Sequence, residues 1–370
     1  MERNSIGTGA KFLNTRILMK FYSMPEPADA DTGRQRFESL PRRIGLGQFM
    51  NPTEERLKYI RQLGVEDILL NMYQYDPDYP HMPDDMMPLE RDTVWSYEDL
   101  KTLRENIESA GVRLNAIENV PISFYDDVML GRPGRDEQLE NLKQTIRNIG
   151  KAGIPMFGYH WSPTGVMRTD SVTVDGGAEV SAYDHSEIDD TLAFDREYTE
   201  AEFWSNYEYF LEEIVPVAEE AGVKLCLHPN DPPVESRNGV PQLFRNFENF
   251  KRAMEMVPSD YHGLDLCLGT WSQMGEDVLN VIEYFGERDK IFYVHFRDVA
   301  GSVPLFHETW IDRGNYDPLA VMKAFDKVGF SGVMIPDHTP HLIGDTDWDH
   351  RGRAYTVGYM KCLQDCVEKC

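Results

Sequence analysis

The chain has 370 residues, 41% hydrophobic and 27% charged, with a net charge of −26 at pH 7. This composition supplies apolar material for a full globular core. It argues against nucleic-acid binding and against docking on anionic membranes, because both need clustered Lys and Arg. Residues 1–43 read as an irregular extension, with 24–35 rich in Pro, Asp and Ala. From residue 44 onward, short apolar runs alternate with helical patterns. Strands are expected at 44–49, 67–71, 113–118, 156–161, 224–228, 263–268, 291–296 and 332–336. Amphipathic helices are expected between them at 53–63, 97–110, 137–152, 200–221, 247–256, 278–284 and 318–328, with a final helix at the C-terminus. Helix ends at Leu63, Ala110, Ala152 and Ala221 read LGV, AGV, AGI and AGV, and Val328 begins VGF. Each puts a Gly just past the last turn, where it closes a helix in the left-handed conformation.

Eight strands alternating with helices predict an α/β fold, a (β/α)8 TIM barrel over residues 44–370 preceded by the irregular N-terminal extension. A doubly wound sheet is the alternative, but Gly45 and Gly47 in the first strand form no GxGxxG phosphate loop. The long connections 162–198 and 298–317 read as lids or binding loops. The cysteines are Cys226, Cys267, Cys362, Cys366 and Cys370, an odd number with no CxxC pair. They suggest reduced thiols in a cytoplasmic protein, not a disulfide framework. The first 18 residues carry no long apolar run, and no segment approaches the ~18 apolar residues of a membrane span.

In a barrel, chemistry sits at the carboxyl ends of the strands. The third expected strand ends in Glu118, the fourth in His160, the fifth in His228-Pro229-Asn230-Asp231. The sixth carries Asp265 and Cys267, the seventh His295-Phe296-Arg297-Asp298, and the eighth Pro336-Asp337-His338. His228, Cys267, His295 and Asp337 thus come from four consecutive strands. Imidazole, thiolate and carboxylate donors together favour Mn, Fe, Co or Zn over Mg or Ca, and their dispersal among strands is a catalytic pattern. Singly, a buried Cys is ordinarily packing and a buried His is ordinarily just hydrogen-bonded. Cys226 lies two residues before His228, on the same face but deeper, and reads as core.

Several runs resemble the mannonate dehydratase family: HPNDPP at 228–233, LCLGT around Cys267, VHFRD around His295, the triplet Phe306-His307-Glu308, Pro336-Asp337-His338, and Arg168-Thr169-Asp170 after Trp161. The resemblance implies a TIM barrel related to xylose isomerase and a lyase that dehydrates D-mannonate to 2-keto-3-deoxy-D-gluconate with Mn²⁺ or Fe²⁺. It maps the metal ligands onto His228, Cys267, His295 and Asp337. The chain departs from the family in three places. The Arg-Trp-Tyr-Gly-like start is Ile44-Gly45-Leu46-Gly47-Gln48-Phe49. The DHG run is Asp337-His338-Thr339. The Tyr-Asp-Arg-Ala stretch is Arg351-Gly352-Arg353-Ala354.

Dehydrating a sugar acid removes the proton α to the carboxylate and expels the neighbouring hydroxyl, which calls for a base, an acid and charge stabilisation. His338 suits the acid–base role, or partners Asp337. Tyr355 is the substitute for the displaced tyrosine, or packs on the last helix. Arg168 and Arg297 are expected to hold the carboxylate bidentately or, in the alternative, to form surface ion pairs. His307 and Glu308 are expected at sugar hydroxyls, and Asn230 and Asp231 at His228 or the substrate. The expected partner is a small sugar acid, with no nucleic acid and no membrane, and the chain is expected to form a homo-oligomer. The rival readings are a metal-dependent isomerase or epimerase on the same barrel, a dehydratase for another aldonate, and a non-catalytic sugar-acid binding protein.

Overall fold

The computed structural model describes residues 37, 39–72, 89, 94–189 and 191–369. The expected extension over residues 1–43 lies outside them except for Phe37 and residues 39–43, and Cys370 lies outside them too. The barrel strands are β1 (Arg43–Ile44), β2 (Asp67–Asn71), β3 (Arg113–Asn119), β4 (Met156–His160), β5 (Lys224–His228), β6 (His262–Cys267), β7 (Ile291–His295) and β8 (Val333–Ile335). They form one parallel sheet in the order β1-β8-β7-β6-β5-β4-β3-β2. A bridge between Leu46 and Ile68 joins the two ends. Leu46 N donates to Asp67 O at 3.0 Å and Leu69 N to Leu46 O at 3.1 Å. The ring is therefore closed, and a closed sheet has no exposed edge.

The first strand is shorter than the expected 44–49. Gln48 takes a positive φ of 62°, a left-handed backbone that ends strand geometry. A Cβ on Gly45 would stand 2.6 Å from Val333 Cγ1, so glycine lets β1 lie against β8. The other strands agree with expectation to within a residue or two.

Helices α1 (Glu54–Gln62), α2 (Tyr97–Ser109), α3 (Arg135–Lys151), α4 (Glu200–Ala221), α5 (Phe247–Met256), α6 (Val278–Gly286), α7 (Pro318–Lys327) and α8 (His350–Lys369) surround the sheet. Their apolar stripes pack on its outer face, which is why the strands read as nearly continuous apolar runs. Inside, a small cluster of Leu69, Ala116, Met156, Cys226, Phe292, Tyr293, Val333 and Ile335 fills the barrel. Gly64, Gly111, Gly153, Gly222 and Gly329 all have φ between 67° and 77°, as the recurrent helix-end sequences predict. Thr199 and Glu202 form a reciprocal capping box at the start of α4; Thr199→Ala would cost about 1 kcal/mol.

The two long connections fold against each other. Ala182–Asp184, in the connection after β4, pairs antiparallel with Leu305–Glu308, in the connection after β7. Leu305–Glu308 pairs in turn with Val299–Ser302. Tyr183 and Phe306 stack with ring centroids 5.4 Å apart. A second hairpin, Val172–Val174 with Ala178–Val180, touches the loop after β8 through Glu179 and His341. Among the described residues no helix is long and apolar enough to cross a membrane.

Candidate metal centre

Side chains two residues apart on a strand share a face. His228, Cys267 and His295 are each the last residue of their strands and point into the barrel mouth, above Cys226, Asp265 and Tyr293. All three are buried, and their donor atoms lie within 4.8 Å of one another. Asp337, just past β8, brings Oδ2 to 3.9 Å from Cys267 Sγ and 3.6 Å from His295 Nδ1. The sequence-derived ligand set therefore converges.

The donor chemistry fits a divalent transition ion. His228 Nδ1 sits 2.6 Å from Pro229 O. A carbonyl only accepts, so Nδ1 carries the proton and Nε2 of the neutral ring carries the lone pair. Neither ring nitrogen of His295 makes a directed hydrogen bond, although the residue is 1% exposed. Burial opposes ionisation of Cys267, but the Arg297 charge and the two imidazoles outweigh it and bring the thiol down to about 5. The thiolate is the ligating form. Thr270 Oγ1 donates to its sulfur at 3.2 Å.

A buried ionic lattice supports this cluster. Arg297, 2% exposed, donates from Nε to Asp337 Oδ2 at 2.7 Å, from Nη1 to both oxygens of Glu308 at 2.9 Å, and from Nη2 to Asp231 Oδ2 at 2.8 Å. Arg168 grips Asp231 with both terminal nitrogens, at 2.6 and 2.7 Å, and also reaches Glu308 Oε1 at 2.8 Å. Burial alone would protonate these carboxylates. The facing guanidinium groups reverse that for Asp231, held well below the usual range, and for Glu308, held at about 2; His338, His295 and Arg297 hold Asp337 well below it. Arg353 fixes the β8 end, donating to Pro336 O and Asp337 O at 2.9 and 2.6 Å.

Above the cluster opens a cavity of about 570 Å³, lined among others by Gln48, Asn71, Glu118, His160, Arg168, Asp231, Glu308, His338 and Arg353. His338 has a third of its side chain exposed and places Nδ1 3.0 Å from Glu308 Oε1. This is a polar chamber of small-ligand size over a metal-type donor set.

The D-mannonate dehydratase (UxuA) family model matches residues 49–194 and 190–370. The chain belongs to the D-mannonate dehydratase family. A mannonate dehydratase of Thermotoga neapolitana is 34% identical over 317 residues, covering 75% of this chain and 87% of that protein. One from Streptococcus pneumoniae (strain 70585) is 31% identical over 282 residues, covering 68% of this chain and 76% of its own length. The crystal structure of mannonate dehydratase from Streptococcus suis serotype 2 superposes with a TM-score of 0.76 at 27% identity, covering 89% of this chain and 94% of that one. An L-ribulose 3-epimerase structure, at 16% identity and a TM-score of 0.54, shares the fold alone. Members of the D-mannonate dehydratase family are hydro-lyases.

Within this D-mannonate dehydratase family barrel, not every expected site residue faces the chamber. Arg168, Asp231, Glu308 and His338 line it. Arg297 does not; its donors are taken up by Asp337, Glu308 and Asp231, so its place is the lattice, not a substrate clamp. Asn230 is buried and ties β5 to its surroundings, donating to Trp161 O and accepting from Phe244 N. His307 turns to the opposite side of its strand from Glu308, as strand alternation requires, and its Nδ1 bonds Glu308 O at 2.8 Å. Tyr355 stands apart on α8, 44% exposed and packed edge-on against Trp310 at 4.8 Å. Sequence reasoning assigned no role to Gln48, Asn71 or Arg353. Gln48 donates to Glu118 Oε1 at 2.7 Å and accepts from Asn71 Nδ2 at 2.9 Å. A polar residue at the end of the first strand was the available signal.

Proposed function

We propose that the chain dehydrates D-mannonate to 2-keto-3-deoxy-D-gluconate and water, with Mn²⁺ or Fe²⁺ held by His228, Cys267, His295 and Asp337. The observation that carries this reading is the convergence of His228, Cys267 and His295 under the chamber, in a chain of this family. A divalent ion bound there supplies positive charge that stabilises the carboxylate as it becomes enediolate-like.

The chain's own residues supply the proton chemistry. Glu308 is ionised and accepts only, so the close Nδ1 of His338 carries the hydrogen. Nε2, 3.7 Å from Asp337 Oδ1, is then the nitrogen left to act as the base for the C2 proton. The C3–oxygen bond breaks, the leaving hydroxyl takes the proton collected by His338 to become water, and the resulting enol gives up its C2 hydroxyl proton and takes one at C3 to become the 2-keto acid. Arg168, 11% exposed at its side chain, stands at the wall where a substrate carboxylate or hydroxyl meets positive charge.

Incubation of the metal-loaded protein with D-mannonate and a small panel of other aldonates, followed by chemical detection of a 2-keto-3-deoxy acid, tests the reading. Formation of that product from D-mannonate, abolished by chelation, is the expected result. A product of unchanged mass would support the isomerase or epimerase reading, and binding without turnover the non-catalytic one. The free thiols Cys226, Cys267, Cys362 and Cys366 suit a reducing cytoplasm, which is part of this reading. So is a homo-oligomer, measured by sedimentation.

A further inference from the structure

One step below the proposed metal ligands, the barrel buries a second set of donors. Asp265 lies two residues before Cys267 on β6, and Glu118, next to the last residue of β3, lies close to it. They are 0% and 1% exposed. Glu118, Asp265 and His295 bring donor atoms within 4.8 Å of one another. His295 stands between the two sets. Its Nδ1 faces Asp337 Oδ2 at 3.6 Å, and its Nε2 faces Glu118 Oε1 at 3.0 Å and Asp265 Oδ2 at 3.5 Å.

These inner oxygens are poorly satisfied. Asp265 Oδ1 and Oδ2 and Glu118 Oε2 are buried with no hydrogen-bond partner. Glu118 Oε1 has the amide of Gln48. Among the described residues no Lys or Arg pairs with either carboxylate. Arg297 is spent on Asp337, Glu308 and Asp231, and Arg353 donates to backbone carbonyls. Arg43 and Arg113 pair with Asp67 at the other end of the barrel. The basic neighbour that Glu118 and Asp265 share is His295, one imidazole set against two buried carboxylates, and such weak compensation is costly.

A simpler role exists for one of them. A metal-bound His usually donates its other N–H to a carboxylate, and Glu118 alone satisfies that need. It leaves Asp265, which has only the Tyr293 hydroxyl and His295 Nε2 beside its oxygens, unexplained. The spacing explains both. Ligand atoms at about 2.0–2.2 Å from a common ion lie roughly 3.0–3.6 Å from each other, and the His295 Nε2 distances fall in that range.

We propose that Glu118, Asp265 and His295 Nε2 form an inner site for a second divalent cation, beneath the outer set and sharing His295 with it. Two carboxylates and one imidazole, with no thiolate, form a harder donor set than the outer one and suit Mn²⁺ or Mg²⁺. A ring that ligates on both sides is an imidazolate, so entry of the second ion releases the remaining N–H proton of His295. The proposal shares a ligand with the outer site and so rests on the metal reading above.

Metal counting on the full chain separates the two ideas. The purified protein is dialysed to equilibrium against Mn²⁺ and the bound ion measured by elemental analysis, with Mn²⁺ paramagnetic resonance on the same sample. Two ions per chain with a spin-coupled signal are expected. The Glu118→Gln, Asp265→Asn double variant should fall to one ion with an isolated-ion spectrum. One ion in the unaltered chain, unchanged by the double substitution, overturns the inner site and leaves the outer one standing. No bound ion at saturating Mn²⁺ overturns both. If circular dichroism shows the double variant unfolded, Glu118→Gln alone is counted; the count on the unaltered chain decides the proposal without any variant.

Discussion

His338 Nδ1 and Glu308 Oε1 are 3.0 Å apart, and the same oxygen accepts from Arg168 and Arg297. The base of the proposed reaction is therefore anchored to a carboxylate whose charge is already committed. His338→Asn keeps a polar side chain near Glu308 but removes the proton carrier. It should leave metal content unchanged and lower kcat about 10²–10⁴-fold. Turnover within threefold of the unaltered chain would remove His338 from the acid–base role.

Tyr355 sits on the outer side of α8 against Trp310, away from the residues lining the chamber. Tyr355→Phe keeps the ring packing. We expect kcat and KM to stay within about twofold and stability within ±0.5 kcal/mol. A large loss of kcat in steady-state assays would return this tyrosine to the chemistry.

Cys267→Ser replaces the one thiolate in the donor set. Ser is a weak ligand at neutral pH, so the affinity of the outer site for a transition metal should drop at least tenfold and turnover with it. Far-ultraviolet circular dichroism should remain that of the folded chain. Full metal occupancy in this variant by elemental analysis would contradict the proposed ligand set.

The same thiol gives a pH signature. Its folded value of about 5 lies below the ordinary ~8.5 of a free cysteine. The thiolate is thus present from about pH 5 upward in the metal-free protein. The associated stabilisation is complete above the unfolded value and is lost as pH falls through the folded one. Absorbance at 240 nm should rise by one thiolate centred near pH 5, and this step should be missing in Cys267→Ser. A single rise for all thiols above pH 8 would refute the assignment.

Glu308 titrates at about 2, with burial opposing and Arg297, His338 and Arg168 driving the depression. Its contribution is present above the unfolded value near 4.3 and disappears as pH falls toward 2. Glu308→Gln leaves Arg297 its ion pairs with Asp337 and Asp231 but removes the carboxylate it shares with Arg168, so it should cost on the order of 1–3 kcal/mol at pH 7. Urea unfolding at pH 7 and at pH 3 should show the gap between variant and unaltered chain narrowing in acid. An equal gap at both values would show that the charge of Glu308 is not what stabilises.

The barrel was legible because its signals are local. Each strand is a short apolar run, and the glycines after Leu63, Ala110, Ala152, Ala221 and Val328 take the left-handed conformation their positions require. The gathering of His228, Cys267, His295 and Asp337, the proposed outer ligands, was legible because each lies at or just past the end of its strand. What crosses the barrel was not. Period-two alternation gives the face on which Asp265 points, but not that Glu118 lies opposite it. The pairing of Ala182–Asp184 with Leu305–Glu308 spans more than a hundred residues. Without it, His307 and Glu308 read as equal neighbours in a loop instead of opposite sides of a strand. Tyr355 illustrates the same limit on a helix, where the inward face of α8 is set by neighbours that the periodicity alone does not name.

Strand pairing between the two connections ties their lengths together. Lengthening or trimming either one shifts the register of the shared sheet and carries Glu308 out of reach of His338 and both guanidinium groups. Exchanging one connection for a relative's should therefore disable the protein, whereas transplanting the pair as a unit preserves it. New substrate preferences in this lineage would then be acquired by tandem replacement, not by piecemeal change.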